Sequence, residues 1–267
     1  MDLGLEGKVA LVTGSWRGTG SGIAEALARE GCTVLVHGFE KGQPDEVVTR
    51  LRAGSFDAHA VHGDISTDSG ADRLIDEALA VGAPVDVLIN NYGVAEAGDW
   101  TTTPTDEWVG AYQKNVLSGV RLVHGLAPGM VDQGWGRIVF VGTIGSLRPA
   151  ARMPHYYGSK AVLPNLCVSL AKELGGSGVT VNLVSPGIIA TQEVREALGR
   201  RAEKKGWGAD WDSIQREASR EVFANPTGRI AEIEEVASVV AFVASKPASY
   251  INGANLRVDG GASDSAL

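Results

Sequence analysis

The sequence predicts an α/β fold, a doubly wound parallel sheet with helices on both faces, formed as one domain over residues 1–267. Three observations carry this. Short apolar runs rich in valine and leucine alternate with amphipathic segments along the whole chain. The first run ends directly in a glycine-rich turn that opens a helical pattern. No internal repeat or low-complexity tract interrupts the alternation.

Residues 8–13 (KVALVT) read as a buried parallel strand, because the run is apolar on both alternating faces and stops at glycine. Gly14-Ser15-Trp16-Arg17-Gly18-Thr19-Gly20 follows, and then Ile23, Ala24, Leu27 and Ala28 recur at helical spacing. Glycines let the backbone turn sharply and approach a ligand closely, while the helix start offers free N–H groups and a positive dipole end to a pyrophosphate. Strand, glycine turn and helix together read as a nucleotide site in a Rossmann-type sheet.

A second strand at 33–37 (TVLVH) ends in Gly38-Phe39, a helix is expected at 45–53, and a third strand at 58–62 leads to Gly63-Asp64-Ile65. An amphipathic segment at 68–80 returns the chain to a fourth strand at 85–89, which ends in Asn90-Asn91-Tyr92-Gly93. The spacing of Trp108, Tyr112, Val116, Val120 and Val123 predicts one long helix over 105–131, with Thr105 and Asp106 as caps. A fifth strand at 136–141 delivers Gly142-Thr143-Ile144-Gly145 to its carboxyl end, where ligands gather in open α/β sheets.

Tyr156 and Lys160 open a helix whose Leu163, Leu166, Leu170 and Leu174 recur every three or four positions. Pro164 inside it lacks an N–H and would clash with the carbonyl of Lys160, so a kink is expected there. A sixth strand at 179–184 runs into Ser185-Pro186-Gly187-Ile188-Ile189-Ala190-Thr191. The charged stretch 192–225 reads as a lid insertion; Trp207 and Trp211 suit either a cover for an apolar substrate or packing of the insertion on its own body. Ile233, Val236, Val240 and Val243 form the last amphipathic helix, and 252–261 the last strand.

Composition narrows the function classes. Hydrophobic residues make up 44% and charged residues 21% of the chain, enough for a full core, and no stretch is long and apolar enough to cross a membrane. A net charge of −8 argues against nucleic acid as a partner, since such proteins present a basic face to phosphates. The acidic start has no signal-peptide pattern, and Cys32 and Cys167 sit in apolar surroundings outside any metal-like spacing. No metal site is expected, and a cytoplasmic, reducing location is.

Four residues separate Tyr156 from Lys160, so a helix projects both from one face. A cation near a phenol favours the phenolate and would draw its pKa from about 10 toward neutrality, where an acid or base is most useful. The pattern alone also fits a solvated helix face. Tyr157 cannot take the role, because its fourth neighbour is Ala161.

Thr13-Gly14-x-x-x-Gly18-x-Gly20, Asn90-Asn91-Tyr92-Gly93, Tyr156-x-x-x-Lys160 and Asn252-Gly253 through Gly260-Gly261 together resemble the short-chain dehydrogenase/reductase family, and its 3-oxoacyl-ACP reductase-like members in particular. The resemblance runs over residues 5–261. It implies hydride transfer between a nicotinamide dinucleotide and a small-molecule carbonyl or secondary alcohol, with Tyr156 as proton donor, Lys160 beside it, and Asn115 anchoring a water relay. The family's serine thirteen residues before the tyrosine is Thr143 here, which keeps the hydroxyl and adds a methyl. The cofactor residues implied are Gly14, Ser15, Arg17, Gly18, Thr19, Gly20, Asp64 and Ile65 at the adenine, Asn91, Gly93, Tyr156, Lys160, Pro186, Gly187, Ile189 and Thr191. Tyr92 replaces a small residue of the family pattern.

NADP(H) is expected over NAD(H): Gly38-Phe39 stands at the end of the second strand where an acid would hold both ribose hydroxyls, with Glu40 the nearest carboxylate, and Arg17 stands where NADP-preferring relatives place a basic residue. The resemblance also implies a homo-oligomer, a tetramer or dimer. A non-catalytic dinucleotide sensor or scaffold of the same fold is the alternative, motivated by Thr143 and Tyr92, and a nucleotide-sugar epimerase of the extended branch a more distant one.

Overall fold

A computed structural model of the chain describes residues 1–264. Seven strands form one parallel sheet: β1 (Val9–Val12), β2 (Thr33–Gly38), β3 (Ala58–His62), β4 (Val87–Asn90), β5 (Gly136–Val141), β6 (Val179–Pro186) and β7 (Asn255–Val258). Their order is β3-β2-β1-β4-β5-β6-β7. The chain therefore steps outward from β1 to one edge and returns to add β4 on its other side. That reversal leaves a crevice beyond the carboxyl ends of β1 and β4, the place where an open α/β sheet takes a ligand.

Strand periodicity explains why these runs are apolar throughout. In β1, Ala10 and Val12 belong to one buried cluster and Val9 and Leu11 to the other. The first cluster is covered by α1 (Gly18–Arg29), α2 (Asp45–Ala53) and α10 (Ile233–Val243), through Ile23, Leu27, Val48, Val236 and Val240. The second is covered by α3 (Asp68–Leu79), α5 (Ser118–Asp132) and α7 (Leu163–Glu173), through Leu74, Leu122, Leu126, Leu163 and Cys167. Cys32 and Cys167 are both buried, and burial pushes each thiol up to about 12, which leaves them inert core residues.

Two helices depart from the sequence expectation. The single helix expected over 105–131 is α4 (Thr105–Tyr112), a π-helical turn Gln113–Leu117, and then α5. The apolar stripe continues across the turn, so periodicity alone does not mark the interruption; such turns are frequent at functional sites. Pro164 does not kink a continuous helix either. Helix α6 (Pro154–Ala161) ends before Val162 and α7 starts at Leu163, which puts Pro164 in a first turn where a missing N–H costs nothing.

Beyond the sheet's carboxyl ends, α8 (Gln192–Lys205) and α9 (Trp211–Glu221) close on a small cluster of Leu198, Ala202, Trp207, Ile214, Ala218 and Ile230, with Trp211 against it. Both tryptophans thus pack the insertion on its own body. No helix among the described residues is long and apolar enough to cross a membrane.

Candidate active site

A cavity of about 1120 Å³ opens at the carboxyl ends of β1, β4, β5 and β6. Its wall includes Gly14, Arg17, Gly18, Thr19, Gly20, Asn91, Gly93, Thr143, Tyr156, Lys160, Pro186, Gly187, Ile189 and Thr191. The structure thus brings fourteen of the expected site residues to one surface, from the segments that follow β1, β4, β5 and β6 and from α6. Four others do not reach it. Ser15 is fully buried, Ile65 lies in the core, Asp64 is exposed outside the cavity, and Asn115 is buried behind it.

Ser15 braces the glycine loop. Its hydroxyl donates to the Val12 carbonyl at 2.6 Å and accepts the His37 N–H at 2.9 Å, while its own N–H donates to the His37 carbonyl. Thr13 ties the loop to β4: its Oγ1 accepts the N–H groups of Asn91 and Tyr92, and Asn91 Nδ2 donates to the Thr13 carbonyl at 2.8 Å. A Cβ on Gly20 would lie 2.4 Å from the Gly14 carbonyl oxygen, so only glycine lets helix α1 start this close to the turn. The first turn of α1 carries no acid, and its cap residue Arg17 makes no side-chain cap. The open, positive helix end suits an anionic group.

Asp64 has another task. Its Oδ1 accepts the Ser66 N–H and hydroxyl at 3.0 and 2.5 Å, turning the chain into α3. Arg17 lines the cavity, stacks on Trp16, and forms a 2.9 Å ion pair with Glu193 at the start of α8.

On the β5 side, Thr143 caps a short turn over Ile144–Ser146, accepting the Gly145 N–H at 3.1 Å. The Thr143 side chain and the Tyr156 phenol line the same wall of the cavity, and Thr143 acts to lower the phenol's pKa. Ser146 donates its hydroxyl to the Thr143 carbonyl at 2.7 Å, which holds the turn closed. Lys160 is buried on α6, with Nζ donating to the Val141 carbonyl at 3.0 Å. A Cβ on Gly93 would stand 2.7 Å from that ammonium, which is why the chain after β4 needs glycine here. Asn115 lies in the π-helical turn, and its side chain is fully engaged: Oδ1 accepts the Val94 N–H, and Nδ2 donates to the Val94 carbonyl and to Ser159 Oγ. It fixes the loop after β4 against α6.

The electrostatics differ from the sequence expectation in one respect. Burial pushes the Tyr156 phenol up to about 12, with the Thr143 side chain opposing it and Lys160 not among the groups that move it. Burial draws the Lys160 ammonium down to about 8. In the protein alone, desolvation outweighs the cation–phenol attraction read from spacing.

Sequence reading missed several residues of this surface. Phe39 followed a strand and carried no motif, Glu193 looked like a solvated helix charge, and Ile144, Met153, Ile188, Val194 and Phe223 form an apolar wall from separate segments. Only their meeting in space marks them. The residues present fit a dinucleotide: a glycine cradle at a positive helix end, and a buried ammonium with a single hydrogen-bond partner facing the same cavity.

The model of a family described as Enoyl-(Acyl carrier protein) reductase matches residues 14–263. The chain is 34% identical over 265 residues to the uncharacterized oxidoreductase YvaG of Bacillus subtilis (strain 168), covering 98% of each. It is 32% identical to the 3-oxoacyl-[acyl-carrier-protein] reductase FabG of Pseudomonas aeruginosa, over 97% of this chain and 98% of that one. Among solved structures, L-sorbose reductase from Gluconobacter frateurii, complexed with NADPH and L-sorbose, superposes with a TM-score of 0.93 at 29% identity, over 99% and 100% of the two chains. A 3-oxoacyl (acyl-carrier-protein) reductase from Agrobacterium tumefaciens C58 with NADP bound gives a TM-score of 0.87 at 32% identity, over 97% and 96%.

Proposed function

The chain belongs to the short-chain dehydrogenase/reductase family of oxidoreductases acting on carbonyl and alcohol groups, and from that premise we propose that it reduces a small-molecule ketone with NADP(H). The observation that carries this reading is the meeting of Tyr156, Thr143 and Lys160 in the cavity whose other wall is the glycine loop. When bound, the dinucleotide supplies the hydride.

The chain's own residues do the rest. Gly14, Gly18, Thr19 and Gly20 receive the pyrophosphate at the start of α1, and Asn91, Gly93, Pro186, Gly187, Ile189 and Thr191 border the groove toward α6. The substrate oxygen accepts hydrogen bonds from the Tyr156 and Thr143 hydroxyls. Tyr156 then gives it the proton that completes the alcohol, and a phenol held protonated by burial is in the form this step requires. Lys160, with one hydrogen bond already fixed to Val141, offers its remaining N–H bonds to ribose hydroxyls and carries positive charge beside the phenol as its proton leaves. Asn115 holds the loop after β4 in register with α6. The apolar wall of Ile144, Met153, Ile188, Val194 and Phe223 shields the reacting carbonyl, and residues 192–225 act as its lid.

Preference for NADP(H) is supported by the absence of an acid directly after β2, by Arg17 at the cavity, and by the NADPH and NADP bound in the two solved relatives. A homo-oligomer belongs to the same reading, supported by exposed apolar surface at Val109 and Tyr112 of α4 and Val168 of α7.

Consumption of NADPH with a panel of ketones tests the activity. Tyr156→Phe is expected to lose roughly 10²- to 10⁴-fold in turnover while still binding NADPH. A phenylalanine variant as fast as the parent enzyme sinks the mechanism, and tighter binding of NADH than NADPH sinks the cofactor assignment.

A further inference from the structure

Thr143, Tyr156 and Tyr157 bring hydroxyl side chains to one wall of the cavity, and the mechanism uses only the first two. The ring centroid of Tyr157 lies 5.2 Å from that of Tyr156, at an interplanar angle of 57°. This second phenol sits at the reacting end of the groove.

A glycine makes the room for it. A Cβ on Gly145 would lie 2.1 Å from Cε1 of Tyr157, 2.3 Å from its Cδ1 and 3.3 Å from Oγ1 of Thr143. The ring therefore fills the space that a side chain at 145 would take, on the turn that Thr143 caps. Cε1 adjoins the carbon that carries the hydroxyl, which brings the phenolic end of the ring to that turn. The Gly145 N–H donates to Thr143 Oγ1 at 3.1 Å, so the seat of Tyr157 and the threonine hydroxyl form one unit.

The Tyr157 hydroxyl has no task within the protein. It finds no hydrogen-bond partner among the described residues, and burial alone pushes its pKa above the ordinary value. At physiological pH it is a neutral phenol with a proton to donate. Ala161 stands where a cation paired with it would be, so it is not a second acid. Its reach toward the reacting group shows in the electrostatics, because Tyr157 is among the groups that raise the Tyr156 pKa. Ile144 and Met153 on the same surface are apolar and offer no competing donor.

We propose that Tyr157 donates a hydrogen bond to a second substrate oxygen, on the carbon next to the reacting carbonyl, and so selects α-hydroxy ketones and α-diketones. The assignment rests on the reductase reading above and names the substrate class of that site. Two phenols from consecutive residues, ring against ring, serve two oxygens that are themselves neighbours. A ketone with a methyl group in place of the second oxygen leaves the half-buried Tyr157 hydroxyl without a partner, and the enzyme discriminates against it.

Matched ketones in which a hydroxyl replaces a methyl test this. The pairs are built on the carbon skeletons that the ketone panel shows to be reduced, hydroxyacetone against butanone and phenacyl alcohol against propiophenone among them. For each pair the ratio of kcat/KM, hydroxy ketone over methyl ketone, is measured by NADPH oxidation in the parent and in Tyr157→Phe. The substitution keeps the ring over Gly145 and removes only the hydroxyl, and the intrinsic reactivity of each ketone is common to both enzymes. Tyr157→Phe is expected to lower the ratio about tenfold, chiefly through a higher KM for the hydroxy ketone. A fall of less than about threefold, or equal losses in kcat for both members of a pair, overturns the proposal. If Tyr157→Phe does not fold, Gly145→Ala decides by the same ratio and the same threshold, because its methyl group displaces the ring from its seat. A panel in which no ketone oxidises NADPH with the parent enzyme would instead refute the reductase reading itself.

Discussion

Gly14 donates its backbone N–H to Nδ1 of His37 across 2.9 Å, so the first glycine of the loop is held by an imidazole with no exposed surface. An accepting Nδ1 puts the ring proton on Nε2, which donates to the Gly63 carbonyl at 2.9 Å. The neutral tautomer satisfies both bonds, and the imidazolium cannot accept from Gly14. Burial lowers the His37 pKa from 6.5 to about 4.

The sign of the pH effect follows. Between about 4 and 6.5 the unfolded chain carries the His37 proton and the folded chain does not, so stability is lost as pH falls through that window. The full loss at this one group is on the order of 3 kcal/mol. His37→Gln is expected to be less stable than the parent at pH 7 and to show a shallower decline between pH 6.5 and 4, read by urea unfolding. Parallel declines would mean that His37 does not titrate in this window.

Lys160 gives the complementary case. Its ammonium is drawn down to about 8 by burial, so below that pH both states are protonated and the folded state bears the whole cost. Between about 8 and 10.5 only the unfolded chain is protonated and the cost fades. Lys160→Met is therefore expected to raise stability at pH 7 by roughly 1–2 kcal/mol, after loss of the bond to Val141, with the gain shrinking toward pH 10. Reductase activity should fall in the same variant. Equal gains at pH 7 and pH 10 would show that the ammonium is not desolvated.

The sheet was legible because its strands are short apolar runs whose alternate residues meet two different helix layers, as Val9 and Ala10 do. The four-residue spacing of Tyr156 and Lys160 likewise requires one helix face, and both line the cavity from α6. What spacing cannot carry is environment. It placed Asp64 just after β3 without showing that the carboxylate turns to Ser66 outside the cavity, and it paired a cation with a phenol without the desolvation that governs both. The π-helical turn at Gln113–Leu117 was hidden because Trp108, Tyr112, Val116, Val120 and Val123 keep the four- and three-residue spacing of an unbroken helix across it. His37 was hidden because its two partners, Gly14 and Gly63, are distant in sequence.

Thr143 tests which part of the side chain matters. Its Oγ1 accepts from Gly145, and the side chain lines the cavity with Tyr156, so the hydroxyl shapes the turn and, in the mechanism proposed, donates to the substrate oxygen. Thr143→Ser keeps the hydroxyl and is expected to stay within about threefold of parent turnover, because only the stiff methyl is lost. Thr143→Ala is expected to lose roughly 10²- to 10³-fold in kcat with a smaller change in KM, as for removal of one oxyanion donor. A large loss on Thr143→Ser would mean that the methyl positions the substrate.

The 2.9 Å pair between Arg17 and Glu193 joins the glycine loop to the start of α8, and both residues line the cavity. Each side chain is more than half exposed, 59% for Arg17 and 51% for Glu193, so the pair itself contributes at most about 1 kcal/mol to stability. Its consequence is competition: a 2′-phosphate that takes the Arg17 guanidinium displaces Glu193 and meets its negative charge. Glu193→Gln is thus expected to tighten NADPH by roughly two- to fivefold and to leave NADH unchanged, with the gain fading at high salt as the charges are screened. Arg17→Ala should weaken NADPH and spare NADH. Equal shifts for both dinucleotides in Glu193→Gln would mean that the glutamate acts on the opening of the groove, independently of the phosphate.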